Sequence, residues 1–375
     1  MRASIETFSS SCARLRRFIT LSLTNTNSFC LYLKPLFGLF KSQSPCEARL
    51  VSRVISLNWI SERMYELHLK VNPRAFRNFQ AGQFIAVDAV INGRLHTRYF
   101  SISSSPGQLK VRGVLSLIIS SQQQGVVTSY FARNLKKGDK LFISKPQGEF
   151  KLRENTKKKL FIAAGSGISP IFSMLSRLAD KYSLQGSELI YYTSQKARHV
   201  FEKEFARLKN LGLRVTVMTT GVNGHLCADH LLIPSRDIAF KDTYLCGPGK
   251  MISDARALLR QAGANAQRIF SEFFTFSSLP SATGSDSNLA ANSVSLDVSS
   301  RQIAIEGDNK TLLEVIEEAG ISVLSGCRAG VCRQCVCKKN KGQVFDLKSQ
   351  TYSTDEEQTI QLCQSVAVGH VSLDL

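Results

Sequence analysis

Short apolar runs separated by Gly, Pro and Asn fill the chain from residue 47 to 150. They are rich in Val, Ile, Leu and aromatics, the pattern of half-buried β-strands. It predicts strands over 49–57, 64–71, 83–90, 98–103, 115–120 and 140–144, with one helix over 126–135. Six short strands and a single helix predict a closed antiparallel β-barrel. From residue 159 strands and helices alternate. Residues 160–164 form a continuous apolar run, as a buried parallel strand requires. Helices are predicted over 171–181, 200–209 and 251–262, and strands over 188–193, 213–219 and 243–246. That alternation predicts a doubly wound α/β nucleotide domain. Residues 277–292 are Ser-, Ala-, Asn- and Gly-rich, too poor in apolar groups to fold, and read as a linker. Beyond it a small α+β unit opens with strands over 293–298 and 302–305, followed by a helix over 311–319 whose Leu312, Ile316 and Ala319 share one face. The chain ends in an apolar run at 371–373.

The division is therefore multidomain: an extension (1–46), a barrel (47–155), an α/β domain (156–276), a linker (277–292) and a C-terminal module (293–375). A chain of 375 residues suits two or three domains. The net charge of +19 is uneven: from Ser293 onward there are 8 Lys/Arg against 11 Asp/Glu, and before it 40 against 18. An acidic module tethered to a basic body suggests electrostatic docking between them; general basicity serving solubility is the plainer reading. Nucleic-acid binding finds no zinc finger, basic helix or aromatic–basic repeat to support it.

Residues 1–28 are rich in Ser, Thr and Arg, with Glu6 as sole acid, a composition that fits an organellar transit peptide. Residues 29–40 are apolar but broken by Lys34 and Pro35. This arm suits peripheral contact with a membrane or packing on its own body, the reading favoured here. No segment reaches the length of a transmembrane helix. Cys12, Cys30, Cys46, Cys227, Cys246 and Cys337 are scattered without a disulfide framework. A reducing, cytoplasmic setting is expected, with membrane association or an organelle as alternatives.

The most specific chemistry lies near the C-terminus: Cys327, Cys332 and Cys335 in a C-x4-C-x2-C run, with Cys363 as a distant fourth. This is the plant-type ligand spacing of a [2Fe–2S] cluster. Zinc sites favour two separated C-x2-C pairs, which this spacing lacks. The surroundings resemble plant-type ferredoxins as well, through Thr311-Leu-Leu-Glu-Val-Ile-Glu-Glu-Ala-Gly-Ile before the loop and Cys363-Gln-Ser-Val-Ala at its close. Gly326, Ala329 and Gly330 keep the loop backbone near the sulfurs, and Cys337 reads as a small core residue.

Further upstream lies Arg98-Tyr99-Phe100-Ser101. Here the chain resembles the ferredoxin–NADP reductase superfamily of flavoproteins, whose flavin motif is R-x-Y-S. The motif supplies a cation for the pyrophosphate, an aromatic face for the isoalloxazine and a hydroxyl near N5. Arg98, Phe100 and Ser101 fill those places. Phe100 keeps the stacking but lacks the phenol, a role Tyr99 is placed to share. Gly125 and Thr128 match the family's G-x-x-S/T segment at a helix start that binds the flavin pyrophosphate; a plain helix cap is the other reading. Pro146-Gln-Gly-Glu-Phe150 resembles the segment ending the flavin domain. Gly165, Gly167 and Pro170 match the family's G-x-G-x-x-P nucleotide loop between strand and helix. Cys246, Gly247 and Pro248 match the C-G-P segment that lines the nicotinamide. Glu272, in Ser271-Glu272-Phe273-Phe274, resembles the family's flavin-proximal segment, with Phe273 where Arg is frequent.

The resemblance covers nearly all of residues 47–375 and implies an antiparallel flavin barrel, a doubly wound nucleotide domain and a β-grasp ferredoxin domain. It implies FAD (FMN being the alternative some relatives use), a [2Fe–2S] cluster and NAD(P)H. Lys196, Arg198 and His199, where an adenosine ribose would rest, point to NADPH over NADH; loop charge on a basic protein is the alternative. Ser101, Cys246 and Glu272 are the expected catalytic groups. The expected activity is an NAD(P)H-dependent reductase, monomeric, serving an external oxygenase, hydroxylase or fatty-acyl desaturase. The stretch 92–98 looks most like the desaturase-partner and steroid-hydroxylase branches. Another redox acceptor, or a non-enzymatic redox-sensing role, is the alternative. A hydride carries two electrons and a cluster one, so a flavin is needed between them and no acid–base pair is required.

Overall fold

The computed structural model describes residues 49–121, 125–154, 158–181, 184–194, 199–231, 237–273, 294–298, 301–305, 310–321, 323–328, 330, 332–349 and 351–375. The N-terminal extension, the linker, and Lys196 and Arg198 lie outside them.

The barrel has six strands: β1 (Leu50–Ser61), β2 (Met64–Lys70), β3 (Phe84–Ile91), β4 (Arg94–Ser101), β5 (Val114–Ser120) and β6 (Lys140–Ile143). Their order is β4-β3-β6-β1-β2-β5, all antiparallel where paired. A bridge between Ile102 and Leu117 brings the continuation of β4 to β5 and closes the ring. The sequence placed β4 from Arg98, but it starts four residues earlier at Arg94. The cause is the Asn92-Gly93 turn, both residues at positive φ (51° and 76°), the hairpin geometry that Asn-Gly favours. A helix absent from the sequence reading, α1 (Pro106–Arg112), follows β4; Ser105 and Gln108 form its capping box. The one helix that the sequence predicts over 126–135 is α2 (Val126–Asn134).

The α/β domain carries five parallel strands: β7 (Lys159–Ala164), β8 (Glu188–Thr193), β9 (Arg214–Thr219), β10 (Asp242–Gly247) and β11 (Ile269–Phe273). Their order is β11-β10-β7-β8-β9, so the winding reverses between β7 and β10, where doubly wound folds open their crevice. The chief helices are α3 (Ile168–Lys181), α4 (Glu202–Asn210) and α5 (Gly249–Gln261). In the C-terminal domain β12 (Val294–Val298) and β13 (Arg301–Ile305) precede α6 (Leu312–Glu318). Then come β14 (Val336–Asp346), β15 (Thr351–Tyr352), β16 (Gln358–Gln361) and β17 (Ser365–Asp374). The sheet runs β13-β12-β17-β14-β15, with β12 and β17 parallel. First and last strands paired in parallel, with a helix between, make the expected β-grasp arrangement.

Barrel and α/β domain share one apolar core. Met64, Ala81, Ile118 and Phe150 of the barrel side pack with Phe161, Ile168, Ile171, Met174 and Tyr244. Two buried hydroxyls fasten the joint: Ser169 Oγ donates to the Ser101 carbonyl (2.7 Å) and Ser173 Oγ to the Ser104 carbonyl (2.8 Å). Losing such a bond strands a buried carbonyl at about 1–3 kcal/mol. The double change Ser169→Ala with Ser173→Ala is therefore expected to lower the urea midpoint clearly; an unchanged midpoint would mean that water replaces both donors.

Candidate active site and cluster site

At the reversal point β7 is followed by Gly165 (φ +54°), whose missing Cβ would face open space. Gly167 is the reverse case. A Cβ there would sit 2.3 Å from the Cys246 carbonyl oxygen, so only glycine lets the loop lie against β10. Pro170 falls within the first turn of α3, where its missing N–H costs nothing. The helix N-terminus and the glycine backbone together form an anion-binding mouth. Gly247 and Pro248 continue it, with Pro248 as the N-cap of α5.

Cys246 and Glu272 are register partners on β10 and β11. Ser101, from the end of β4, donates its hydroxyl to Glu272 Oε2 at 2.8 Å. Both side chains are buried. Burial pushes the Glu272 carboxyl up to about 8; the Ser101 hydrogen bond opposes this and nearby Cys327 adds to it. Glu272 is thus mainly a neutral acid at pH 7. Burial, and then Glu272, push the fully buried Cys246 thiol well above its ordinary value. All three expected catalytic residues meet at one point, and burial keeps the thiol uncharged.

The flavin-motif residues line the barrel beside this point. Burial, then the Arg328 guanidinium, lower the Arg98 pKa. Its Nη1 donates to the Thr97 carbonyl at 2.9 Å. Phe100 packs on Phe131 of α2 with ring centroids 6.2 Å apart, setting β4 against that helix. Gly125 caps α2 without a side-chain hydrogen bond. Thr128, in its first turn, holds a buried hydroxyl that has no protein partner, as does Ser103. A buried hydroxyl without an acceptor is rare. In the first turn of a helix it fits the pyrophosphate of a bound flavin. Tyr99 goes elsewhere: its ring lies edge-on to Phe84 and faces Gly326 of the C-terminal domain, beside Cys332.

Cys327, Cys332, Cys335 and Cys363 come together as free thiols. The thiols act on one another: Cys327 raises the Cys332 thiol, Cys327 and Cys335 raise the Cys363 thiol, and Cys363 lowers the Cys335 thiol. Backbone N–H groups point inward: Cys327 N to Cys332 Sγ (3.3 Å), Cys332 N to Cys327 Sγ (3.2 Å) and Gly330 N to Cys363 Sγ (3.2 Å). Left-handed backbone at Arg328, Gly330 and Arg333 curls the loop around this space. Four cysteine sulfurs ringed by backbone N–H donors suit a two-iron cluster. Cys337 is buried in the domain's core, as expected, and burial raises it to about 12.

The sequence reading placed Tyr99 at the flavin rather than beside the cysteine loop, and missed the hydroxyls of Ser169 and Ser173. Only the last two carried a signal, as Ser residues one turn apart on the apolar face of α3. The proposed coenzyme-selecting pair Lys196 and Arg198 cannot be placed among the described residues; His199 is exposed and bonds to Glu202.

Three families match in the predicted order: an oxidoreductase FAD-binding domain over residues 52–152, an oxidoreductase NAD-binding domain over 161–257 and a 2Fe-2S iron-sulfur cluster binding domain over 295–368. The chain is 30% identical over 281 residues to the NADH oxidoreductase HCR of Escherichia coli, covering 74% of this chain and 83% of that protein. It is 26% identical to an NADPH oxidoreductase of Mycobacterium tuberculosis, covering 87% and 84%. In fold it is similar to phthalate dioxygenase reductase, with a TM-score of 0.59 at 21% identity over 87% of this chain and 98% of that one. FAD, NAD(P)H and a [2Fe–2S] cluster are accordingly the cofactors of this oxidoreductase. With one domain of each kind, and a flavin site and a cysteine cage meeting at Tyr99, the chain belongs to the ferredoxin–NADP reductase superfamily of flavoproteins, in the group that carries a C-terminal [2Fe–2S] domain.

Proposed function

We propose that this reductase takes a hydride from NADPH and delivers single electrons to an external oxygen-activating enzyme, with a hydroxylase or fatty-acyl desaturase as the acceptor class. The observation carrying this reading is the adjacency of two sites. The Ser101–Glu272 pair lies near enough to the cysteine loop for Cys327 to act on the Glu272 carboxyl. The relatives support an oxygenase partner: among them are a stachydrine N-demethylase reductase subunit and glycine betaine monooxygenase reductase subunits. The desaturase class rests on the resemblance of residues 92–98. The reductase is proposed to work as a cytoplasmic monomer.

When bound, the flavin converts one hydride into two single-electron transfers, and the cluster carries them onward one at a time. The chain's own groups do the positioning. The Gly165–Gly167 turn and the start of α3 hold the coenzyme's pyrophosphate. Arg98, the N-terminus of α2 and Thr128 hold that of the flavin. Cys246 and Gly247 wall the nicotinamide and exclude water. Ser101 presents its hydroxyl where hydride arrives, and Glu272 orients that hydroxyl while staying uncharged. A hydride brings negative charge into this site, so a carboxylate beside it would oppose transfer.

Three outcomes follow from these assignments. Cys332→Ser should abolish the cluster's paramagnetic signal yet keep NADPH-driven reduction of ferricyanide; loss of both activities contradicts the modular scheme. Because Glu272 is pushed up to about 8, hydride transfer read by stopped-flow flavin bleaching should slow as pH rises through that value. Glu272→Gln should flatten this limb, and an unchanged profile removes Glu272 from the step. Replacing Lys196 and Arg198 by alanine should raise KM for NADPH at least about tenfold more than for NADH, the loss of roughly 1.4 kcal/mol of charge pairing. Equal effects would withdraw the coenzyme preference.

A further inference from the structure

The barrel carries a second concave site, built from residues that the flavin and coenzyme sites do not use. One wall is the connection between β2 and β3. There Pro73–Phe76 forms a single 3-10 turn capped by Asn72, whose side chain accepts from the Arg74 N–H at 3.1 Å. Phe76 and Phe79 are buried in the barrel core, and the Phe79 N–H donates to the Phe76 carbonyl at 2.9 Å. With both aromatic residues taken up by the core, Arg74, Arg77 and Asn78 stay exposed. The other wall leaves β6. Buried Ser144 accepts from the Ala86 N–H at 2.9 Å and donates to the Lys145 carbonyl at 2.7 Å. That pair of bonds holds the backbone at Lys145, whose side chain is exposed. Between the two walls lies a cavity of about 320 Å³, lined chiefly by Arg74, Arg77, Asn78, Phe79, Lys145 and Pro146. No carboxylate lines it. Among the described residues, none of its three cations has an ion-pair partner. Other cations of this body are matched, Arg49 by Asp88, Lys151 by Glu149 and Arg177 by Glu154.

We propose that this cavity binds a small phosphate ester, its phosphate held by Arg74, Arg77 and Lys145 and its organic part set against Phe79 and Pro146. Like charges gathered round a recess repel one another, and an anion between them reverses the sign of that interaction. Two guanidinium groups offer forked donors that match the edge of a phosphate, and a lysine adds a point charge. The Asn78 amide supplies a further donor without charge. A phosphate monoester carries about −1.5 to −2 at pH 7, which suits three cations better than the single charge of a carboxylate. The volume lies at the small end of the range for ligand cavities, roughly 300–1,000 Å³, so the organic part is small. The phosphate can come from a free ester or from a lipid headgroup, which present the same chemistry to the three side chains. The site is independent of the acceptor proposed above, since no flavin, coenzyme or cluster residue takes part in it.

The test uses the full chain loaded with FAD and cluster and saturated with NADP+, so that the coenzyme's own phosphate groups already fill their site. Phenyl phosphate titrated by isothermal calorimetry should bind saturably at one site, more tightly than inorganic phosphate, and phenol should give no binding heat. Arg77→Ala should weaken phenyl phosphate about tenfold, and Arg74→Ala with Arg77→Ala about a hundredfold, the scale of one and two lost charge-assisted contacts. NADPH-driven ferricyanide reduction should stay unchanged in these variants. Lys145→Gln, on the other wall, should also weaken binding about tenfold, and it keeps the question answerable if the arginine variants misfold. A second arm uses phosphatidylcholine vesicles containing phosphatidic acid. Sedimentation with them that is lost in the double variant identifies a lipid headgroup as the source of the phosphate; protein left in solution, with phenyl phosphate still bound, identifies a free ester. No saturable binding of either probe, or binding of equal strength in wild type and the variants, overturns the site.

Discussion

The hydrogen bond from Ser101 to Glu272 joins two domains at a point that neither could build by itself. Ser101 ends a barrel strand, and Glu272 lies on the outermost strand of the parallel sheet, 171 residues later. Their meeting requires the barrel to be held rigidly against α3. The shared apolar core and the two serine hydroxyls supply that rigidity. Much of the site's chemistry follows from the burial this creates. Burial keeps the carboxyl neutral near pH 7 and the Cys246 thiol protonated, so three polar side chains form a site without net charge.

The third domain enters through a different kind of contact. The body is basic and the C-terminal module acidic, yet a close contact between them among the described residues is a tyrosine ring against a glycine. Charge balance of this sort acts over a Debye length and steers approach. It does not set a register. A ring seated on a residue without a side chain does, because no other placement lets the loop come so near. Lys348 of the C-terminal module also acts on Glu272, opposing its neutral form, so the hydride site and the cysteine site share one electrostatic surrounding.

Most of the barrel and the parallel sheet were legible, because their strands follow simple burial patterns. The misses have physical causes. β14 reads as a polar segment, Val-Cys-Lys-Lys-Asn-Lys-Gly-Gln-Val-Phe-Asp. Its Lys339 is nevertheless fully buried, with Nζ donating to the carbonyls of Gly342, Thr354 and Glu356 at 2.6, 3.0 and 2.6 Å. A caged lysine breaks the apolar alternation by which a strand is recognised. β11 is only five residues long and borders a polar turn, so its place at the sheet edge is set by pairing with β10 rather than by its own pattern. α1 was announced by Ser105, Pro106, Gln108 and Gly113, capping signals that its few apolar residues obscured.

What the sequence by itself determined is the local chemistry: four cysteines at cluster spacing, a glycine turn between strand and helix, and an arginine–aromatic–serine run. These depend on residue type and on distances of a few positions, which covalent geometry preserves in any fold. Only the tertiary structure decided that Glu272 reaches Ser101, that Thr128 keeps an unpartnered hydroxyl, and that Tyr99 faces the cysteine loop instead of the flavin side. A strand's alternation tells which residues part company, but it does not say which domain waits on either side. That choice is made by packing between segments more than two hundred residues apart, from Tyr99 to Gly326.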